Sequence, residues 1–216
     1  NVQISNNTLL RPGGNGNTGT VLNMSGNLTI DAGSAMYLDY GGFVMTTDFN
    51  ILGGVTMNGN LSLTTAASKD LYVGGDWTQN TGASFNANSK AVFLNGTTNQ
   101  NIGGTQSTTF PYLILNNSAG ATLTSSQTVS TTLTLTSGQI TLGSNDLTMG
   151  ASAGAIASSS STRYVITNGS GKLVKTNLTG AYFFPVGPSS TVFGAANINN
   201  AGTADNISVG VVTAPA

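Results

Sequence analysis

The amino-acid sequence predicts an all-β protein: a parallel β-solenoid (β-helix) of about 20–21 residues per coil, completed by a small C-terminal β cap or sandwich-like module. Three observations predict this fold. Short segments recur at a fixed spacing, apolar and polar residues alternate within them, and the polar residues are mostly uncharged. No stretch of the sequence combines helical spacing with helix-capping residues, so crossover helices are not expected.

The fixed spacing is clearest between residues 51 and 117. Four segments there end in a glycine or asparagine turn signal: ILGG at 51–54, YVGG at 72–75, FLNG at 93–96 and ILNN at 114–117. Their starting positions are evenly spaced, which predicts a constant coil length of about 21 residues. A further match, LTL at 133–135, follows after a slightly shorter interval. Because glycine and asparagine tolerate positive φ angles, each pair is expected to turn the chain at one corner of the coil.

Around these corners the chain consists of short segments in which an apolar residue is expected to face the core and a polar residue the solvent. Examples are LTI at 28–30, LSL at 61–63, ITL at 140–142 and LTM at 147–149. Such strict alternation is typical of half-buried strands. Coils stacked about 4.8 Å apart predict about seven coils and a rod about 35 Å long.

The composition fits such a stack and excludes several classes of function. Only 6% of the residues are charged, His is absent and the net charge is −1. Equivalent residues of successive coils lie directly above one another, where like charges would repel, so neutral side chains are favoured. The six Lys and Arg residues provide no basic stripe for nucleic acid, and no apolar run approaches the roughly 20 residues of a membrane-inserted helix. Without Cys, disulfides and thiolate metal sites are excluded.

The sequence changes character after a low-complexity stretch at 151–161. The pattern YVITNGSGKLVK at 164–175 predicts a β-hairpin that turns at Asn-Gly or Ser-Gly. Aromatic residues then cluster at 182–184, and a final apolar strand is expected around 207–212. We therefore predict two parts, a β-solenoid over 1–161 and a C-terminal β module or cap over 162–216.

Five patterns lie close together in the C-terminal part of the chain: TSGQITLG at 136–143, DLTM at 146–149, YVITNGSGKL at 164–173, FPVG at 184–187 and ADNISV at 204–209. Together they resemble a module that recurs in very large, repetitive surface proteins of Bacteroidota, often exported by the type IX secretion route. The resemblance implies an extracellular or cell-surface protein of adhesin-like or filamentous character. It brings no catalytic residues with it.

Two glycine-rich motifs have functional meanings that their context does not support. GNGNTG at 14–19 matches the GxGxxG fingerprint of dinucleotide sites, but the following TVLNM is typical of a strand, whereas the fingerprint requires a helix. The same stretch, read from Gly13, nearly matches a calcium-binding repeat, yet Thr18 occupies the position of the Asp ligand. We expect a glycine-rich loop, no cofactor and no metal.

The acidic residues are poor catalytic candidates. All seven are Asp, they are scattered, and there is no His or Glu to serve as acid or base. Asp70 and Asp76 could approach each other if they flank one corner, but no Lys or Arg cluster accompanies them. We therefore expect no enzyme and no catalytic residue, with the Asp side chains bonding backbone amides in turns.

A column of outward apolar residues is the candidate interface. If Leu71 and Val73 and their equivalents point inward, then the residues between them point outward, and the even spacing aligns Ile51, Tyr72, Phe93 and Ile114. Three explanations stay open: cover by another part of the same chain, contact with another subunit, or a carbohydrate or other ligand. Four further aromatic residues are expected in the core or at the rim, with sugar stacking as the alternative: Tyr37, Tyr40, Phe43 and Trp77.

These observations predict an extracellular or cell-surface structural protein, a self-assembling filament or fibre subunit that forms a homopolymer or homo-oligomer. Strand addition at the open ends of a solenoid would join the subunits. The alternative is an adhesin segment that binds glycans or surfaces through its exposed aromatic residues. Neither alternative involves nucleic acid or membrane insertion.

Overall fold

The computed structural model describes residues 1–12, 22–42 and 44–211, which form twenty-two strands and no helix. None of these residues therefore belongs to a helix that could cross a membrane. In chain order the strands are β1 (Val2–Ile4), β2 (Leu9–Leu10), β3 (Leu22–Met24), β4 (Leu28–Ile30), β5 (Ala35–Tyr37), β6 (Phe49–Ile51), β7 (Val55–Met57), β8 (Asn60–Ser62), β9 (Leu71–Val73), β10 (Trp77–Gln79), β11 (Ser84–Asn86), β12 (Ala91–Leu94), β13 (Gln100–Gly103), β14 (Thr109–Asn116), β15 (Ala121–Leu123), β16 (Gln127–Ser137), β17 (Ile140–Thr141), β18 (Leu147–Met149), β19 (Val165–Ile166), β20 (Leu173–Phe184), β21 (Val186–Gly187) and β22 (Ala196–Val209).

The strands form three sheets that run along a parallel β-solenoid, which confirms the predicted fold class. Sheet A has the order β1-β4-β7-β10-β13-β15-β17-β19-β21, sheet B has β11-β8-β5-β2, and sheet C has β22-β20-β18-β16-β14-β12-β9-β6-β3. Every pair of these strands is parallel except β20 with β22. Nine levels in sheets A and C correspond to about eight turns, one more than the sequence predicted.

The constant spacing holds in the middle of the stack. Phe93 pairs with Tyr72 on one side and with Ile114 on the other, as predicted. Leu113 pairs with Leu133, so the next coil is one residue shorter, again as predicted. The first coils are longer. Asn50 of β6 pairs with Asn23 of β3, and its side-chain amide donates to the side chain of Asn23, so one coil spans 27 residues here. The additional residues of these coils include the strands of sheet B, which is confined to the N-terminal half of the stack.

The prediction that Ile51 points outward is wrong. Ile51 pairs with Val73, is 1% exposed and packs in the core. The residue that lies beside Tyr72 in the outward column is Asn50. The glycine pairs that follow these two strands would align Ile51 with Tyr72, but the strands themselves pair with an offset of one residue. In a strand, such an offset moves every side chain to the opposite face.

The corner glycines are needed for a different reason from the one predicted. Neither Gly74 nor Gly75 has a positive φ. A methyl group on Gly75 would instead overlap the backbone of Gly53 and Gly54 in the preceding coil, and one on Gly74 would overlap Leu52. Successive coils approach each other so closely at this corner that no side chain fits between them.

The core follows the predicted alternation. The inward residues of the central strands of sheet C are fully buried: Leu71, Val73, Val92, Leu94, Leu113 and Leu115. Trp77 is fully buried as well, in ring contact with Phe85 and Phe110 at centroid distances of 4.8 and 5.3 Å. The core placement of Trp77 is therefore confirmed.

The hairpin predicted at 164–175 does not form. Its first half, β19, lies in sheet A between β17 and β21, and its second half, β20, lies in sheet C beside β18. The residues between β19 and β20 form a corner between two sheets, while Val165 and Ile166 are both buried and continue the parallel ladder. Parallel pairing thus continues beyond residue 162, and β22 pairs with β20 in the antiparallel sense.

Candidate functional site

Three of the four predicted interface residues form an outward column on sheet C. Tyr72, Phe93 and Ile114 occupy successive strands in register and are each half-buried. The rings of Tyr72 and Phe93 stack with centroids 4.5 Å apart and planes inclined by 15°. Burial, together with the charges of Asp48 and Asp70, raises the pKa of Tyr72, so its phenol is a neutral hydrogen-bonding group. The role of this column as an interface stays a prediction.

The aromatic residues near the N-terminal half take different positions. Tyr40 is 45% exposed, and the guanidinium carbon of Arg11 lies 3.8 Å from the centroid of its ring. Tyr37 is half-buried on the outer side of sheet B. Phe43 and the glycine-rich motifs that begin at Gly13 lie outside the described residues.

Several Asp side chains hold adjacent coils together. An Asp immediately before a strand of sheet C accepts the N–H of the equivalent residue in the next coil: Asp48 from Asp70 at 3.0 Å, Asp70 from Ala91 at 2.8 Å and Asp146 from Lys172 at 2.8 Å. Asp76, before β10, likewise accepts the N–H of Asn101 at 2.7 Å. These Asp side chains bond backbone amides, as expected, but the amides belong to the next coil and not to the turn of the Asp itself.

Asp70 precedes β9 and Asp76 follows it. Asp70 accepts the N–H of Ala91 and Asp76 that of Asn101, both in the next coil. The described part of the chain holds no group of three or more His, Cys, Asp or Glu residues arranged to bind a metal ion. Each of the two carboxylates accepts a backbone N–H of the next coil.

Sheet C contains a break that the sequence does not predict. The ladder between β18 and β20 ends at the pair Met149 and Lys175, after which the chain from Ala151 onward diverges from β20. An open cavity of about 480 Å³ lies between the two segments. We call it the sheet C groove; its lining includes Ala153, Lys175, Asn177, Tyr182, Phe183 and Asn197.

Two side chains replace the missing ladder at the floor of the groove. The Lys175 ammonium donates to three backbone carbonyls, those of Gly150 at 2.7 Å, Ala151 at 2.9 Å and Thr176 at 3.0 Å. The hydroxyl of Tyr182 donates to the carbonyl of Gly154 at 3.0 Å. Carbonyls that have lost their strand partners thereby keep a donor. Burial lowers the pKa of Lys175 and raises the pKa of Tyr182 to about 12.

Phe183 and Asn177 lie at the rim of the groove. Phe183 is 38% exposed and lies opposite Asn197 in the β20–β22 pair. Asn177 adopts a φ of 49°, and its backbone N–H donates to the side chain of Asn206 at 3.0 Å. The sequence signal for this site is the aromatic cluster at 182–184 alone, because the other half of the groove comes from the low-complexity stretch.

The two ends of the stack differ. At the N-terminal end β1, β2 and β3 are the last strands of their sheets among the described residues. At the other end Gly194 donates its N–H to the carbonyl of Val186 at 2.9 Å, so the segment after β21 covers that edge of sheet A. Sheet C ends in β22, whose outer edge has no partner strand in the described part of the chain.

The chain matches no protein-family model, and no curated protein and no solved structure is significantly similar to it.

Tyr182 gives a measurable pH dependence. Because its pKa in the folded state is raised from 10.0 to about 12, the folded protein holds a proton that the unfolded chain releases above pH 10. We expect the free energy of unfolding to fall by about 2 kcal/mol between pH 10 and pH 12, and the fall to be reduced in Tyr182→Phe. Urea unfolding at a series of pH values measures it. An equal fall in Tyr182→Phe would contradict the assignment.

Lys175 acts in the opposite direction and in a lower range of pH. Its pKa is lowered from 10.5, so the unfolded chain binds more protons and stability rises with pH until 10.5 is passed. Between pH 10 and 10.5 the rise due to Lys175 therefore partly offsets the decline assigned to Tyr182, and above pH 10.5 the decline of Tyr182 is seen alone.

Proposed function

We propose that this protein is an extracellular structural protein, a subunit of a self-assembling surface filament. The observation that carries the proposal is the N-terminal end of the described stack, where β1, β2 and β3 are the last strands of their sheets among the described residues. An unpaired strand edge is a template for a strand of another chain.

The central residues of two edge strands direct their backbone groups away from the stack. In β3, the Leu22 N–H and the Met24 carbonyl bond to the neighbouring coil, which leaves the N–H and carbonyl of Asn23 on the open side. In β1, Val2 and Ile4 bond to the neighbouring coil in the same way, so the backbone groups of Gln3 face outward along the axis. Both edges therefore offer a donor and an acceptor for strand addition.

Apolar surface at the same end favours association. Val2, Leu10 and Leu22 pack against the core but are only partly buried, whereas Leu28, which pairs with Val2 from the next coil, is fully buried. Another copy on this end would remove that surface from water. A net charge of −1 keeps the electrostatic repulsion between copies small.

The second surface that a filament requires is the outer edge of β22. A head-to-tail contact between two different surfaces of one chain extends into an open filament. Since β22 runs antiparallel to the other strands of sheet C, β3 of the next copy would pair with it in the antiparallel sense.

The filament proposal is tested by electron microscopy and sedimentation of the purified protein over a range of concentrations. We expect filaments from the natural chain and monomers from a Gln3→Pro/Asn23→Pro variant, because proline removes the outward N–H groups and leaves the inner ladder intact. The control, Gln3→Ala/Asn23→Ala, removes the same side chains but keeps both N–H groups, and should still assemble. Strictly monomeric natural protein at high concentration would overturn the proposal, as would filaments of the proline variant.

An adhesin segment is the second candidate function. It is favoured by the outward column, where the stacked rings of Tyr72 and Phe93 lie beside Ile114. Aromatic rings with a half-exposed face are suited to contact sugars or another protein. Loss of adhesion in a Tyr72→Ser/Phe93→Ser variant that still assembles would favour this role.

A further inference from the structure

We infer that the sheet C groove binds neutral oligosaccharides. This inference does not depend on filament assembly, and it gives the adhesive alternative a defined site and ligand class. Three features carry it: the concave shape of the groove, an exposed aromatic ring at its rim, and amide groups that have no partner among the described residues.

The shape follows from the broken ladder. The volume of about 480 Å³ lies within the usual range of ligand-binding clefts. Its floor is built by the bonds of Lys175 and Tyr182 to carbonyls of the diverging segment, so the two walls are tied to each other. The groove is therefore a fixed feature of the fold.

The aromatic ring is Phe183. Its neighbours Tyr182 and Phe184 are buried, at 6% and 0% exposure, whereas Phe183 faces outward with 38% of its surface exposed. The flat face of a phenyl ring packs well against the C–H groups on one face of a pyranose.

Two amides line the same groove. The side chains of Asn177 and Asn197 line the groove, and neither is bonded to another part of the described chain. An amide both donates and accepts hydrogen bonds, which matches the adjacent hydroxyls of a sugar. β20 has register shifts on either side of Leu178, and Asn177 has a φ of 49°. These irregularities change the direction of the side chains in this part of β20 relative to a regular strand.

The charge of the groove selects neutral ligands. The described residues that line it include no carboxylate, and the cation among them, Lys175, is 5% exposed with its ammonium protons donated to three carbonyls. The carboxylate of an acidic sugar would find no free cationic donor in the groove. A neutral sugar has no charge that requires such a donor.

The experiment is a screen of the full chain against immobilised neutral gluco-, manno- and galacto-oligosaccharides together with uronic-acid oligosaccharides, followed by calorimetric titration of the best binder. We expect binding to a neutral oligosaccharide, weakened about fivefold to tenfold by Phe183→Ala and also weakened by Asn197→Ala. The matched control is Asn199→Ala, an exposed position on the same strand that does not line the groove; its affinity should equal that of the natural chain.

Thermal unfolding of each variant separates loss of the site from loss of the fold. Binding of no neutral oligosaccharide, binding of the acidic ones alone, or unchanged affinity in a folded Phe183→Ala variant would each overturn the inference. Because none of these results depends on assembly, filaments formed by a protein that binds no sugar would leave the proposed function standing.

Discussion

Trp77→Ala is expected to lower the free energy of unfolding by about 3–5 kcal/mol. Trp77 is fully buried and packs edge-on against Phe85. Its indole N–H donates to the buried hydroxyl of Thr108 at 2.9 Å. The substitution therefore opens a large cavity and leaves Thr108 without one of its partners, and both effects destabilise the same coil.

The measurement is denaturant unfolding followed by far-ultraviolet circular dichroism, because Trp77 is the single Trp of the chain and its fluorescence is lost in the variant. Trp77→Phe is the matched control; it retains a ring in the cluster but removes the N–H, so a smaller loss is expected. In a solenoid each coil contacts only its neighbours. Hydrogen exchange should therefore increase first around β10, β11 and β14. A loss below about 1 kcal/mol would show that the ring cluster does not support the stack.

The features that the sequence predicts correctly are those encoded locally. Leu71 and Val73 lie on either side of one outward residue, and this alternation alone identifies the buried face of β9. The same pattern recurs at the constant spacing in Val92 and Leu94, so the stacking partner is predictable as well. The outward positions of the residues between them follow from the same alternation.

Register between coils of unequal length is not predictable in the same way. The glycine pairs of the sequence align Ile51 with Tyr72, whereas the strands pair Ile51 with Val73. The segment FNILG at 49–53 has apolar residues at both odd and even positions, so alternation alone does not identify its buried face. The length of the loop between this strand and the next coil decides which face is buried. Pairing at this step depends on residues far from the strand itself.

Buried amides are a second feature that no local pattern reveals. Gln100, 1% exposed, donates to the carbonyl of Val73 at 3.0 Å and to that of Gly75 at 2.6 Å. Asn117, also 1% exposed, donates to the carbonyl of Thr98 and to the side chain of Gln100. These side chains satisfy backbone groups at a corner where the coils do not pair, and their roles emerge only once three coils are stacked.

The sheet C groove is invisible in the sequence for the same physical reason. The sequence pattern assigns Lys175 to a hairpin strand, but in the structure it fills a gap beside carbonyls 24 and 25 residues earlier in the chain. Those carbonyls belong to Gly150 and Ala151, where a low-complexity stretch of mainly Ala, Gly and Ser begins. A groove that forms where strand pairing stops is not marked by any sequence motif.

Gly104→Ala is the substitution that best tests why the stack needs glycine, and we expect it to cost about 3 kcal/mol or more. Gly104 has a φ of +118°, a region that other residues rarely adopt, and an added methyl group would overlap the backbone of Gln79 in the preceding coil. The overlap cannot be relieved locally, because the carbonyl of Gln79 already accepts the Gln106 N–H at 3.1 Å.

Two other glycines separate the causes. Gly82 has a φ of +88° with open space around it. Gly82→Ala should therefore lower the free energy of unfolding only by the cost of holding Ala at a positive φ, about 1–2 kcal/mol. Gly75 has no positive φ but lies against the backbone of Gly54, so Gly75→Ala measures close approach alone. If the coils stack as described, urea unfolding should rank Gly75→Ala as more costly than Gly82→Ala, with Gly104→Ala the most costly. If Gly82→Ala proved more costly than Gly75→Ala, turn conformation rather than close contact between coils would govern the corners.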